Sequence, residues 1–346
     1  MRYNRLGHTG LFVSELCLGT MTFGGKGMWT AIGTLDQSES NMLVTSAIDA
    51  GVNFIDTANV YSNGLSERIT GQALKDCGIA RHDVVLATKA LGPMGEGVND
   101  RGASRHHLMN QVDASLQRLQ TGHIDLYQIH GWDPATPMEE TLRALDDIVR
   151  SGKVRYIGVS NWAAWQIAKA LGLSERQRLE KFVSLQAYYS LAGRDLEREI
   201  VPMLESEGVG LMVWSPLAGG FLTGKYTRSG DEEGRRKEFD FPPIDKDKGF
   251  DAVEVMQAIA GEKSVTVPQI ALAWLLAKPF VSSVIIGARK PDQLNDNLGA
   301  TSVKLSPEDM TRLDAAAPPA PTYPGWMIER QGEYRRDAMA GDRPKH

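Results

Sequence analysis

Residues 213–226 read VWSPLAGGFLTGKY, and the fold turns on what that stretch is. An apolar, strand-like run enters Gly219-Gly-Phe-Leu-Thr-Gly224-Lys225, which fits the G-x-x-x-x-G-K of a P-loop, whose backbone N–H groups and lysine hold nucleotide phosphates. Tyr226, however, stands where the magnesium-binding Ser or Thr belongs. A working P-loop also needs a helix directly after its lysine, because the helix N-terminus helps to hold the phosphates. Here TRSGDEEGRRKEFDFPPIDKDKG follows, which is polar, broken by Gly and Pro, and poorly suited to a helix. The P-loop reading fails, and the apolar run belongs instead to a longer series.

That series consists of LCLG (16–19), NFID (53–56), VVLATK (84–89), DLYQIH (125–130), RYIGVS (155–160), VSLQA (183–187), GLMVWS (210–215) and SSVIIG (282–287). Between the runs lie segments such as ESNMLVTSAIDA, RHHLMNQVDASLQRLQ, PMEETLRALDDIVRS and LEREIVPMLESE, with apolar residues three and four apart. Continuous rather than alternating hydrophobicity implies strands buried on both faces, as in a parallel sheet covered by helices. Eight such β–α units most simply close into a (β/α)8 TIM barrel. The competing open, doubly wound sheet would carry G-x-G-x-x-G in its first crossover if it bound a dinucleotide, and the chain has none. Ahead of the first unit, YNRLGHTGLFVS predicts a hairpin turning at His8-Thr9-Gly10 that plugs the barrel floor. With no internal linker before the Pro-rich APPAPTYPG (317–325), the expectation is one domain over residues 1–346, a hairpin over about 1–15 and a C-terminal tail over about 318–346.

Composition narrows the function. The 346 residues are 42% hydrophobic and 23% charged, with a formal charge of −5, a pI near 5.9 and a mean hydropathy of −0.27. That is globular material without the basic surface that nucleic acid or an anionic membrane requires. No run reaches the 18 apolar residues of a spanning helix, and MRYNRLGHTG lacks the apolar core of a secretory signal. Two cysteines, Cys17 and Cys77, argue against a disulfide framework, so a cytoplasmic protein is expected. The seven histidines show no metal spacing, and His106-His107 is expected to open a surface helix.

Several runs end on polar side chains: Asp56, Lys89, His130, Ser160 with Asn161, Gln186 and Ser215. In a barrel the C-terminal strand ends share one face, so residues spread over about 160 positions converge on one pocket. Each residue taken singly is as readily a strand terminator. As a set they are less easily dismissed, because an Asp and a Lys on neighbouring strands are costly to desolvate unless paired. DTANVYSNGLSE (56–67) adds Tyr61 on the loop after the second run. An ammonium beside a phenol lowers its pKa from the usual value near 10, giving an acid active near neutral pH. Asp56 would hold Lys89, and His130 would orient a substrate oxygen or relay the proton. An acid without nucleophile or metal suits protonation of the oxyanion formed when hydride attacks a carbonyl, and the hydride must come from a cofactor.

These residues resemble the aldo-keto reductase superfamily. The likeness runs through RLGHTGLFVSELCLGTMTFG, DTANVYSNGLSE, ATK (87–89), DLYQIH, GKVRYIGVSN (152–161), LQAYYS, VWSPLAGGFLTGKY and IIGARKPDQLNDNLGA (285–300), almost the whole chain in family order. It implies a barrel that binds NADPH without a Rossmann domain and reduces aldehydes or ketones, with Asp56, Tyr61, Lys89 and His130 as the catalytic set. It also implies cofactor contacts from Trp214, Ser215, Pro216, Leu217, Gly219 and Lys225 over the nicotinamide and pyrophosphate. Ser160, Asn161 and Gln186 would meet the carboxamide, and Gly19, Thr20 and Met21 would line the first-strand edge. Gly287, Arg289, Gln293, Asp296 and Asn297 would serve the adenine end, Arg289 pairing with the 2′-phosphate beside Lys290. A branch resembling this chain includes the β subunits of voltage-gated potassium channels, so a nucleotide-sensing regulatory subunit is the alternative function. A barrel enzyme for phosphorylated substrates without nicotinamide is a third reading, which leaves Tyr61 and Lys89 unexplained. Met28, Trp29 and Trp132 are candidate walls of the substrate pocket, a carbonyl compound is the expected partner, and a homo-oligomer is left open.

Overall fold

The computed structural model describes residues 1–228, 236 and 239–335, apart from the side chains of Gly27, Met28 and Arg335. Met28, an expected pocket wall, therefore lies outside the described side chains, as does most of the segment after Arg228.

Two short strands, β1 (Tyr3–Arg5) and β2 (Phe12–Ser14), pair antiparallel with Tyr3 opposite Ser14 and Arg5 opposite Phe12. The turn between them closes with the Leu6 amide donating to the Leu11 carbonyl at 2.9 Å and the Thr9 hydroxyl donating to Leu6 O at 2.8 Å. Eight parallel strands then form a closed barrel: β3 (Leu16–Gly19), β4 (Phe54–Asp56), β5 (Val85–Ala90), β6 (Ile124–Ile129), β7 (Val154–Ser160), β8 (Phe182–Tyr188), β9 (Gly210–Trp214) and β10 (Val281–Ile286). β10 pairs with both β3 and β9 and completes the ring. Each strand falls on an apolar run identified above, within one residue at either end.

Helices follow the strands: α1 (Gln37–Asp49), α2 (Leu65–Asp76), α3 (Arg105–Leu119), α4 (Met138–Arg150), α5 (Ala164–Gln177) and α6 (Ile200–Glu207), with Lys246–Lys263 and Val267–Leu276 between β9 and β10 and Pro291–Gly299 after β10. Side-chain caps mark the starts of α1, α3 and the helices at Lys246 and Val267; the Asp36 carboxylate accepts from the Glu39 amide at 2.9 Å while the Glu39 carboxylate accepts from the Asp36 amide. One sequence expectation shifts here. α6 begins at Ile200 rather than Leu196, because Asp195–Glu197 form a separate tight turn. His106-His107 opens α3 as expected, with His106 exposed and His107 buried.

The main core lies between the barrel and its helices, and a second apolar cluster fills the barrel floor. There Leu6 and Val13 of the hairpin join Cys17, Phe54, Val85, Ala87, Leu126 and Met212. The hairpin is thus the plug expected from the sequence. No helix among the described residues is long and apolar enough to cross a membrane.

Candidate active site

Along each strand, successive residues point to opposite faces, so every second residue points into the barrel. Stepping by two carries β4 from Phe54 to Asp56, β5 from Val85 through Ala87 to Lys89, and β6 from Leu126 through Gln128 to His130 just past its end. Hydrocarbon at the floor gives way to polar groups at the C-terminal end. Asp56 and Lys89 are almost completely buried there, and Lys89 Nζ donates to Asp56 Oδ2 at 2.5 Å, to the Thr57 carbonyl at 2.8 Å and to the Tyr61 hydroxyl at 3.3 Å. All three ammonium donors are therefore used.

Tyr61 is delivered by a tight turn, Tyr61–Gly64, in which Ser62 and Asn63 take left-handed backbone angles with φ of 49° and 56°. Such angles are costly for residues with a Cβ and persist only where neighbours enforce them. Ser62 supplies that enforcement: its hydroxyl accepts from the Gly25 amide at 2.9 Å and donates to the Phe23 carbonyl at 3.3 Å. The phenol ring meets the edges of His130 (centroids 5.7 Å apart) and Trp29 (5.2 Å). Trp29 thus stands beside the candidate acid, whereas Trp132 packs on Trp162 and Trp165 and ties the β6 and β7 loops together.

The electrostatics differ from expectation in one respect. Burial pushes the Tyr61 phenol above its ordinary pKa; Lys89 pulls it down, but the Asp56 carboxylate pushes it up again. The expected acid of near-neutral pKa is corrected to a phenol that stays protonated at neutral pH. Burial also disfavours the Lys89 ammonium, yet Asp56 and Tyr61 together hold its pKa above the usual value. Burial and the nearby ammonium push the His130 imidazole down to about 3. It is a neutral ring at neutral pH, able to donate one N–H. Cys17, below the cluster, is an inert thiol, raised well above its normal pKa by burial and by Asp56.

Sequence reasoning passed over Gln128. Its Nε2 donates to Asp56 Oδ1 at 3.1 Å, beside Gln186 Nε2 at 3.0 Å. The available signal was a polar residue inside the strand, two positions before His130 and so on the same face. Gln186, assigned by resemblance to the carboxamide, turns its nitrogen to Asp56 instead.

At the same end of the barrel, the Ser160 hydroxyl and the Asn161 amide both donate to the Gln186 carbonyl, at 2.9 and 3.1 Å. Asn161 Nδ2 donates to the His130 carbonyl at 3.2 Å, and Asn161 Oδ1 accepts from Trp214 Nε1 at 3.0 Å. Trp214 is flanked by Tyr188 and by Phe241, whose ring is stacked at 5.7 Å and 8°. After β9, Ser215, Ala218, Gly219 and Gly220 all take positive φ, and the turn closes with the Gly219 amide donating to Ser215 Oγ at 3.0 Å. Arg236 clamps this turn, donating to the Ala218 carbonyl at 2.8 Å and the Pro242 carbonyl at 2.9 Å. No helix starts at Lys225, which is exposed. Pro216 is buried in the turn and Leu217 partly so. Thr20 donates to the Asp56 carbonyl from the end of β3, next to Gly19 and Met21.

At the far end, Gly287 follows β10 and Arg289 donates to the carbonyls of Ile32 (2.9 Å) and Ala31 (2.6 Å), while its amide donates to Gln293 Oε1 at 2.9 Å. Lys290 is exposed beside it and Asn297 is buried. Asp296 faces a neighbouring helix: its carboxylate accepts from Thr266 Oγ1 at 3.0 and 3.1 Å and from Gln269 Nε2 at 3.1 Å. Among the described residues no cluster of three or more His, Cys, Asp or Glu is placed to hold a metal ion.

The family model for the aldo/keto reductase family matches residues 15–318. A Bacillus subtilis (strain 168) protein named as the uncharacterized oxidoreductase YrpG is 40% identical over 92% of this chain and 96% of its own. A probable voltage-gated potassium channel subunit beta of Oryza sativa subsp. japonica is 38% identical over 93% and 98%. The versiconal hemiacetal acetate reductase of Aspergillus parasiticus is 36% identical over 94% and 99%.

Proposed function

The chain belongs to the aldo/keto reductase family, and from that premise we propose that it is an NADPH-dependent oxidoreductase that reduces aldehydes or ketones to alcohols, with Tyr61 as general acid. The observation that carries this reading is the single ammonium of Lys89, bonded at once to Asp56 and to the Tyr61 hydroxyl. NADPH, when bound, supplies the hydride.

The residues around the pocket suit such a cofactor. Trp214 offers an aromatic platform for a planar ring, Ser160 and Asn161 polar groups beside it, and the turn after β9 a run of left-handed backbone of the kind that receives phosphates. Arg289 and Lys290 bring two cations to the adenine end, in keeping with a 2′-phosphate. Asp296, held by Thr266 and Gln269, is better suited to fixing its helix than to binding ribose.

The protein's own groups then have distinct tasks. Tyr61, protonated at neutral pH, hands its proton to the alkoxide oxygen. Lys89 stabilises the phenolate left behind, which burial alone would penalise. Asp56 keeps Lys89 charged, and neutral His130 donates a hydrogen bond that orients the substrate carbonyl. Trp29 supplies one apolar wall beside the acid. The unpaired Cys17 and Cys77 accord with a cytoplasmic setting.

The test is a panel of aldehydes, including nitrobenzaldehyde, with purified protein and NADPH absorbance as the readout and NADH as the control. Turnover with NADPH preferred is expected. Tight cofactor retention with no oxidation of NADPH by any aldehyde would favour the nucleotide-sensing alternative, the role suggested by the name of the rice relative.

A further inference from the structure

We propose that Gln128 is a positioning residue of the catalytic centre, holding Asp56 by its Oδ1 oxygen so that Oδ2 faces Lys89 and Lys89 reaches the Tyr61 hydroxyl. The inference rests on Tyr61 being the proton donor, and it concerns a residue to which no role has been assigned above.

A carboxylate only accepts hydrogen bonds, so both amides that touch Asp56 must turn their nitrogens to it. Gln128 and Gln186 do so on the same oxygen, at 3.1 and 3.0 Å, and Gln186 Nε2 also lies 3.4 Å from Gln128 Oε1. Asp56 is thereby divided: Oδ1 belongs to two neutral donors and Oδ2 to the ammonium at 2.5 Å. Without the amides the carboxylate is free to rotate and present both oxygens to Lys89.

The barrel makes space for this arrangement. Gly158 pairs with Gln128 on one side and Ser184 on the other, and a Cβ at 158 would lie 2.5 Å from Ser184 Oγ and 3.3 Å from Gln128 Cγ. Gln128 is fully buried, and a buried amide in a barrel interior needs a partner to offset its desolvation. Asp56 is that partner.

The charged and titratable groups facing this centre are Lys89 from β5, Asp56 from β4, Tyr61 from the turn after β4, His130 after β6 and the Cys17 thiol from β3. Of these, Asp56 is the anion whose charge opposes formation of the Tyr61 phenolate. Two amide donors spread that charge. Removing one leaves a less compensated carboxylate, so the phenol becomes harder to ionise.

The experiment replaces Gln128 by Met and, separately, by Leu, which fill similar volume without a donor. Ser184→Ala is the control, since Ser184 is equally buried and its hydroxyl has no partner among the described residues. Two readouts are taken on the full chain. The first is the pH profile of alcohol oxidation with NADP+, where the phenolate is the base; its rising limb should move up by about one pH unit in both Gln128 variants, with KM for the cofactor unchanged. Below the limb this lowers kcat about tenfold. The second is the ultraviolet titration of tyrosinate, taken as the difference from the same protein carrying Tyr61→Phe, which should move in the same direction without any need for turnover. Ser184→Ala should move neither.

Unshifted titration in whichever Gln128 variant folds, or an equal shift in Ser184→Ala, would overturn the proposal. Failure of the wild-type protein to reduce any aldehyde would instead count against the reductase reading, while the tyrosinate titration would still decide the role of Gln128.

Discussion

The two ends of the barrel are built on the same interior face and behave as opposites. At the floor, Leu6 and Val13 of the hairpin meet Phe54, Val85, Leu126 and Met212. Two to four residues further along the same strands, the interior holds Asp56, Lys89 and Gln128, each bonded to another polar group. The floor gains free energy from burial itself, whereas the mouth buries charge at a cost that only the complete set of partners offsets. Height along a strand, more than residue type alone, separates stability from chemistry.

The comparison breaks most severely at Lys89. Lys89→Met leaves the Asp56 carboxylate buried without its ammonium, and should lower stability by about 3–5 kcal/mol in urea unfolding as well as reducing turnover below detection. If Lys89→Met proves as stable as the wild type, the mouth is not held together by that pair. At the floor, Leu126→Ala should cost about 2–5 kcal/mol while changing kcat less than about threefold. A large kcat loss there would mean that the two ends are not separable.

Smaller effects sharpen the contrast. Protonated His130 is disfavoured in the folded state, its pKa standing near 3 against about 6.5 in an unfolded chain. As pH falls below about 6.5 the unfolded chain takes up a proton that the folded one does not, so this contribution is complete above that pH and lost progressively toward pH 3. Unfolding midpoints should decline over that window, and His130→Asn should flatten part of the decline. Burial lowers His107 and His123 in the same direction, so a residual slope is expected. Finally, Arg289→Ala should raise KM for NADPH by about tenfold and leave KM for NADH near its wild-type value. Equal losses for both cofactors would reassign Arg289 to holding the loop at Ala31 and Ile32.

The strands and three of the four candidate catalytic residues were legible because they depend on local pattern. Asp56, Lys89 and His130 each close an apolar run, and the barrel brings run ends together regardless of their distance in sequence. Gln128 was visible by the same rule of alternation but is hidden within its run rather than at its end. The acidity of Tyr61 was misjudged because a nearby lysine can be read from the strand order, while the depth of burial and the opposing charge of Asp56 need coordinates. The region around Arg289 and Asp296 was least legible. Arg289 meets Ala31 and Ile32 from the opposite end of the chain, and Asp296 meets Thr266 and Gln269 on a neighbouring helix. Those contacts follow from how loops and helices settle against each other, which no spacing rule encodes.

The account depends most on the phenol bound to Lys89, a group that should resist ionisation until its proton is needed. The direct measurement is turnover of nitrobenzaldehyde by Tyr61→Phe, with NADPH affinity followed in parallel by fluorescence quenching. A fall in kcat of about a thousandfold or more with unchanged NADPH binding is the predicted result. Turnover within a few-fold of wild type would contradict it.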